Sequence, residues 1–342
     1  MRINYILATL PALMASLAAQ SAETMYVMGT GGVKQKGYEE QVIPQFEART
    51  GAKVIYVPGS STDIVAKLIA QKGKQDASVI LIDSGPIQAA MEQDLCAPLP
   101  ASPVIKDLYP SARLPGNTAV GTGFYATGLA YNTDVFAKNG WPAPTSWNDL
   151  GDPKFKGKVS IGPISGFGVE ALVMLARANG GSEKNIEPGF QAMAKKVGPN
   201  VVAWEGAPAN LGRMLQSGEA PLVVWSTART QPVIDQGAPV TFVFPKEGAL
   251  QAIAAACIVK GAPQQKLAQE FLEEILSPEA QVRFTKVAGY GPVNIKAKLD
   301  PDTARKVIYG QEQLDQLIPV DWSVINKQRG EWTKRWNREI ER

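Results

Sequence analysis

The chain has 342 residues, 45% of them hydrophobic and 20% charged, which excludes a disordered or coiled-coil protein and implies two cores or lobes, since a usual domain holds roughly 100 to 200 residues. Its 35 Lys+Arg against 32 Asp+Glu leave a formal charge of +3, too near neutrality to suggest a nucleic-acid or membrane-surface partner. Histidine is absent, so Ser-His-Asp and Cys-His nucleophile activation, HExxH zinc sites and His-bearing iron sites are all excluded.

In chain order, the first feature is an uncharged run. No charge follows Arg2 until Glu23, and Tyr5 to Ala19 reads YILATLPALMASLAA, apolar with small residues toward its end. This predicts a secretory signal over residues 1–22, cleaved between Ala19 and Ala22. Asn4, Thr9, Pro11 and Ser16 make it too polar for a membrane anchor, which needs about 20 strongly apolar residues. Export would place Cys96 and Cys257 in an oxidising compartment. A disulfide is then permitted, and two separately buried thiols fit equally well, because pairing needs Cα atoms within about 7 Å.

The next hundred residues repeat one unit three times: a short apolar run, a polar turn and an amphipathic stretch, the pattern of βα units. These are Met25 to Met28, the turn Gly29-Thr30-Gly31-Gly32 and a helix near Tyr38 to Thr50; Val54 to Val57, the turn Pro58-Gly59-Ser60-Ser61 and a helix from Thr62; and Val79 to Ile82, the turn Asp83-Ser84-Gly85 and a helix opened by Pro86. Parallel strands with helical crossovers form an open sheet whose ligand crevice lies beyond the carboxyl ends of the strands, so all three turns face one place.

A second set follows. Strand Val159 to Gly162 leads to Ser165-Gly166-Phe167-Gly168 and a helix through Ala178; Val201 to Trp204 leads to Glu205-Gly206; Leu222 to Trp225 leads to Ser226-Thr227 and another helix. The uncharged segments Gly121 to Asn132 and Leu250 to Val259 bracket this set and are expected to be two strands passing between the lobes, a hinge for closure around a ligand. Helices are expected at Gln264 to Leu276, at Pro278 to Val287, and over Ser323 to Arg342, where Trp332 and Trp336 are spaced as packing anchors. The implied organisation is a signal at 1–22, lobe 1 from 23–127 and 253–310, lobe 2 from 128–252, and a helical tail at 311–342 packing on both.

Several segments together resemble a known family. Gly128-Leu129-Ala130-Tyr131-Asn132-Thr133, Pro144 to Leu150 (PTSWNDL) with Asp152 to Val159 (DPKFKGKV), Pro245-Lys246-Glu247-Gly248, and Leu276 to Gln281 (LSPEAQ) with Gly289-Tyr290-Gly291-Pro292-Val293 look like the extracellular solute-binding proteins of bacterial ABC importers. The branch they resemble includes spermidine/putrescine, ferric-iron, thiamine and phosphonate binders. The resemblance implies an α/β, two-lobed type II periplasmic binding protein fold, each lobe a mostly parallel sheet flanked by helices, with a two-strand hinge. It also implies a periplasmic monomer that carries a small solute to an inner-membrane ABC permease, without catalysis and without nucleic acid. Two departures bear on the ligand. Ferric-iron binders of the branch use adjacent tyrosines where this chain has Trp225-Ser226-Thr227-Ala228-Arg229, and polyamine binders place a Trp-x-Asp near the return crossover where this chain has Leu250-Gln251-Ala252.

From the residues themselves, the crevice is expected to be lined by helix-opening turns: Thr30, Gly31, Ser61, Thr62, Ser84, Ser165, Gly166 and Ser226. Free N–H groups and hydroxyls there suit a carboxylate, phosphate or phosphonate. Against this stand Asp83, Glu205 and Glu247 with Tyr125, Phe167, Trp204 and Trp225, which could hold an amine through carboxylates and aromatic faces. Arg229 or Arg213 would decide the sign: either, facing the crevice, would hold an oxyanion and repel a diamine. No metal-ligand pattern or cofactor motif is present; Gly29-Thr30-Gly31 begins like a dinucleotide fingerprint, but the next required glycine is Lys34. A secreted enzyme acting on a small molecule in such a cleft is the alternative from another class, and a structural or adhesive protein is a third.

Overall fold

The computed structural model describes residues 23–341. The secretory signal expected at 1–22 lies outside the described residues. In chain order the strands and helices are β1 (Thr24–Thr30), α1 (Val33–Gln41), α2 (Ile43–Thr50), β2 (Lys53–Gly59), α3 (Ser61–Ala70), β3 (Ala77–Asp83), α4 (Ser84–Glu92), α5 (Pro103–Lys106), the long β4 (Val120–Asn132) and α6 (Thr133–Lys138). They continue with β5 (Val159–Ile161), α7 (Phe167–Ala178), α8 (Glu187–Ala192), β6 (Val201–Trp204), α9 (Pro208–Ser217), β7 (Leu222–Ser226), α10 (Thr227–Asp235), β8 (Val240–Val243) and β9 (Leu250–Ile258). The C-terminal part is helical: α11 (Gln265–Leu276), α12 (Pro278–Ala288), α13 (Pro301–Lys306), α14 (Gln311–Asp315) and α15 (Trp322–Glu339).

The strands join in the order β2-β1-β3-β9-β4-β7-β5-β6, with β8 also on β4. Each end of this order is parallel: β1 with β2 and β3, and β5 with β6 and β7. Between them β9 and β4 run antiparallel to each other and to β3 and β7. Strand β4 pairs with β9 as far as Thr127 and with β7 from Thr127 onward, so it leaves one group of parallel strands and enters the other at that residue. The expected crossing strands are therefore β4 and β9, and their near-absence of charge follows from burial on both faces.

Three details depart from expectation. The helix expected over Tyr38 to Thr50 is two helices broken at Val42, because Pro44 has no N–H to continue the ladder and occupies the first turn of α2. Gly29 and Thr30 lie inside β1, and Pro58 and Gly59 inside β2, so the strands run on into the expected turns, while α1 and α3 start at Val33 and Ser61, ahead of the expected Tyr38 and Thr62. The helix read as opened by Pro86 begins at Ser84. Helices α5, α6, α8, α9 and α13 and strand β8 have no counterpart in the sequence reading.

Cys96 and Cys257 are joined, with Cα atoms 5.6 Å apart, linking the segment after α4 to β9 across 161 residues of sequence. The pair lies in an apolar cluster with Met28, Leu68, Ile80 and Ile87. Helix α15 lies across both halves. Trp322 packs over Gly85 and Asn326 donates to Gly85 O (2.8 Å), while Trp336 stacks edge-on against Trp204 (5.0 Å) and Arg335 pairs with Glu187 (2.6 Å).

Candidate functional site

The site begins where β1 meets α1. Tyr56 reaches under Gly29 to donate its hydroxyl to Thr30 O (2.8 Å), and a Cβ at position 29 would collide with that ring. Gly32 takes φ +74, which turns the chain into α1 and points Lys34 inward. Lys34 is 1% exposed, its Nζ 2.8 Å from Asp83 Oδ1 and 5.6 Å above the Tyr290 ring. Ser61 donates to the other Asp83 oxygen (2.9 Å). Burial works against charge on Asp83, yet Lys34, Ser61 and Arg229 together hold its carboxyl below the usual carboxylate range. Tyr38, Tyr56, Tyr125 and Tyr290 surround the pair; burial raises all four phenols, Tyr38 to about 12, so they stay neutral donors.

The facing wall comes from the other half of the sheet. Helix α10 follows β7 and brings Arg229 to within 3.9 Å of where a Cβ on Gly32 would stand. Its charge acts on Asp83, Tyr125 and Tyr290, but it makes no hydrogen bond or ion pair with any described residue. Glu170 sits in the first turn of α7, near Asp83, Tyr125 and Arg329 of α15. Burial, reinforced by Asp83, raises its carboxyl to about 7 against the help of Thr127 and Arg329. Arg329, itself largely buried, donates to Ile164 O (3.4 Å) in the loop before α7.

Among the residues expected from sequence, Thr30, Gly31, Ser61, Asp83 and Tyr125 come together here, with Ser226 at the opening of α10. Thr62 is exposed beside the Ser60 cap (3.1 Å), and Ser165 and Gly166 are exposed in the loop that starts α7, with Phe167 half-buried behind them. Ser84 exchanges hydrogen bonds with the backbone of Ile253 (3.0 and 2.8 Å), tying α4 to β9. Glu205 accepts from Ala207 N and Asn210, which holds the turn between β6 and α9. Glu247 holds Ser146 and Trp147 N, well away from Asp83 in the loop before β9. Trp204 packs on Trp336, and Trp225 in the cluster of Leu211 and Met214. Lys34, Thr127, Glu170, Tyr290 and Arg329 were not expected. Lys34 showed only as the residue that breaks a glycine motif, Tyr290 only within the Gly289–Val293 turn that carries the family resemblance, and Thr127, Glu170 and Arg329 lie inside elements whose sequence carries no site signal.

A profile of the bacterial extracellular solute-binding proteins matches residues 41–310. The chain belongs to that family. Its members capture small solutes and work with ABC permeases, and this chain is a solute-binding component of that kind. The gamma-aminobutyric acid-binding protein of Pseudomonas aeruginosa is 24% identical over 293 residues, covering 82% of this chain and 80% of its own. Spermidine/putrescine-binding periplasmic protein 1 of Haemophilus influenzae is 25% identical, covering 75% and 72%. The periplasmic binding protein AfuA of Actinobacillus pleuropneumoniae, solved with fructose-6-phosphate bound, superposes with a TM-score of 0.80 at 23% identity, over 94% of this chain and 99% of that one. The fold is the two-lobed periplasmic binding fold, and in the strand order Asp83 at the end of β3 and Arg229 after β7 lie on opposite sides of the crossing strands β9 and β4.

Proposed function

We propose that this family member is exported to the periplasm and, as a monomer without catalytic activity, binds a small organic anion for delivery to an inner-membrane ABC permease. Lobe 1 comprises 23–127 and 253–310, lobe 2 comprises 128–252, and the solute lies between them with a carboxylate or phosphonate group on Arg229. One observation carries this reading: Arg229 presents an unpaired guanidinium toward a cleft whose nearest carboxylate, Asp83, is already neutralised by Lys34 at 2.8 Å. The excess charge there is positive, and a planar donor fork suits an oxyanion. A diamine would need free carboxylates, whereas Glu205 and Glu247 both accept from backbone N–H groups elsewhere. Arg213, the other candidate cation, pairs with Glu219 (3.0 Å) on the surface.

The test is calorimetric titration and a thermal-shift panel of carboxylates, phosphonates, sugar phosphates and polyamines, preceded by mass spectrometry of solute released from undialysed protein. An anion should bind, stabilise the fold by about 2.7 kcal/mol at 100 times its Kd, and be recovered unaltered. Arg229→Ala should weaken it 10- to 100-fold, the value of a charge-assisted hydrogen bond, without lowering the melting temperature. Binding of polyamines alone, or conversion of the solute to product, would refute the reading.

A further inference from the structure

Helix α15 is held unequally by the two halves of the molecule. Near its C-terminal end Trp336 is fully buried and stacks edge-on against Trp204 (5.0 Å). Arg335 pairs with both oxygens of Glu187 (2.6 and 3.1 Å) and lies 4.1 Å over the Phe190 ring. The segment leading into the helix is tied to the same half. Asp321 N donates to Glu183 (3.1 Å), Arg177 donates to Glu183 (2.9 Å) and to Pro319 O (3.3 Å), and Ile318 exchanges backbone bonds with Ala249 and Gln251 (2.9 and 2.8 Å). Every one of these partners falls within 128–252, the range assigned above to lobe 2.

Toward lobe 1 the same helix offers much less. Asn326 donates to Gly85 O (2.8 Å), and the half-buried Trp322 lies so close over Gly85 that a Cβ there would stand 2.7 Å from its ring. No positive φ requires a glycine at position 85; the approach of Trp322 does. One turn further on, Arg329 donates to Ile164 O of lobe 2 (3.4 Å), so the turn from Asn326 to Arg329 joins the first turn of α4 to the loop before α7. Packing beneath this contact is incomplete: a cavity of about 120 Å³ lies among Ile87, Leu114, Phe124, Ile253, Val320 and Trp322. Permanent core contacts leave few voids larger than a water molecule.

Magnitudes decide which side lets go first. A fully buried indole with a charge-assisted two-point pair outweighs one neutral hydrogen bond with a half-buried indole. When the halves part, α15 therefore stays with lobe 2 and the Gly85 contact breaks. The helix it releases is α4, which starts one residue after Asp83 of the cleft cluster.

We infer that α15 is a strap carried by lobe 2 whose Trp322 and Asn326 latch onto Gly85, so that two positioning residues outside the solute site set how far the cleft opens. This rests on the lobe division and closing cleft proposed above and is independent of the charge of the solute. The latch is made in the closed arrangement, including the ligand-free one, and each opening breaks it.

The experiment measures the distance between spin labels on Lys67→Cys of α3 and Lys184→Cys of lobe 2, both exposed, by pulsed electron resonance of the full chain. The two native cysteines are joined to each other, so only the introduced thiols react. Ligand-free protein with the native latch should show a short distance with a minor longer component. Asn326→Ala should raise the ratio of long to short about 2- to 10-fold, the worth of one hydrogen bond, and Trp322→Ala should raise it at least as much. Gly85→Ala should act like Trp322→Ala, yet change the ratio less than 2-fold when added to it, because the ring it would displace is gone. Asn326→Ala and Gly85→Ala both raise helix propensity, so their effect is not local unravelling. Hydrogen exchange should quicken in the first turns of α4 and α15 and stay slow over 332–339. Distances that respond to the carboxylates, phosphonates, sugar phosphates or polyamines of the panel but not to these substitutions would overturn the strap and leave the cleft reading standing. So would a native-latch distribution that is already entirely long, or exchange that quickens equally along all of α15. One fixed distance that neither the substitutions nor any member of the panel alters would sink the closing cleft as well.

Discussion

Replacing Lys34 with Met isolates the electrostatics of the cleft, because the substitution keeps the apolar stem and deletes the charge. Lys34 is 1% exposed and Asp83 31%, so the pair is screened on one side only. Removing one partner of a buried ion pair costs about 3 to 5 kcal/mol, chiefly because the remaining charge is stranded; with Asp83 partly open and still bonded to Ser61 at 2.9 Å, the lower end, about 3 kcal/mol, is expected at pH 7. The pH dependence has a definite sign. In wild type the carboxyl is held below its unfolded value, so the pair contributes stability above a pH of about 4 and loses it as the pH falls through the depressed folded value. In Lys34→Met burial is unopposed by Lys34 and the folded value rises. The variant's deficit should therefore be full at pH 7 and should shrink toward zero below about pH 4. Adding Asp83→Asn to Lys34→Met removes the stranded charge and should recover at least half of the loss. Urea unfolding followed by tryptophan fluorescence at pH 7 and pH 4 measures both. A loss under 1 kcal/mol at pH 7, a deficit that does not change with pH, or a double variant no more stable than the single would refute the reasoning.

Glu170→Gln should change stability in the opposite direction. The folded carboxyl titrates at about 7 against an ordinary 4.5, so wild-type stability falls as pH rises through that window. Ligand-free Glu170→Gln should then be about 2 kcal/mol more stable than wild type at pH 8 and no more stable at pH 4, as read from denaturant midpoints. Replacing Cys96 and Cys257 together by Ala should lower unfolding free energy by about 2 to 5 kcal/mol, as loss of a long-loop disulfide does. Solute affinity should stay unchanged, since the pair lies in the Leu68–Ile80 cluster rather than beside Asp83. Trp336→Ala deletes a fully buried indole that packs on Trp204 and donates to Glu341 (2.9 Å). It should cost about 3 to 5 kcal/mol, with faster amide exchange along α15 than elsewhere; uniform exchange would mean that the helix is held by other contacts.

These variants bear on two different uses of charge. The Lys34–Asp83 pair is internally balanced, whereas Arg229 forms no ion pair with a described residue and burial opposes the charge of Glu170. Helix α15 adds a third party, since Arg329 enters beside Glu170 from a segment that otherwise reads as a packing tail.

The sequence by itself determined the class of fold. The alternation of apolar runs, polar turns and amphipathic stretches named β1 to β3, β5 to β7 and most of the large helices, and the absence of charge from Gly121 to Asn132 and Leu250 to Val259 picked out β4 and β9. Those signals are local, because burial on both faces of a strand or one face of a helix is written into consecutive residues. The missing histidine likewise removed whole reaction classes without any coordinates. Only the tertiary structure decided which polar residues meet. Asp83, Glu205 and Glu247 look alike in sequence, each following or preceding a strand, yet one is paired across 49 residues to Lys34, one holds the turn leading into α9 and one holds a turn 100 residues away. Glu170 and Thr127 carry no mark at all, since what each meets lies on another element. Pairing, burial and net charge at a cleft are sums over distant segments, and a linear pattern does not contain those distances.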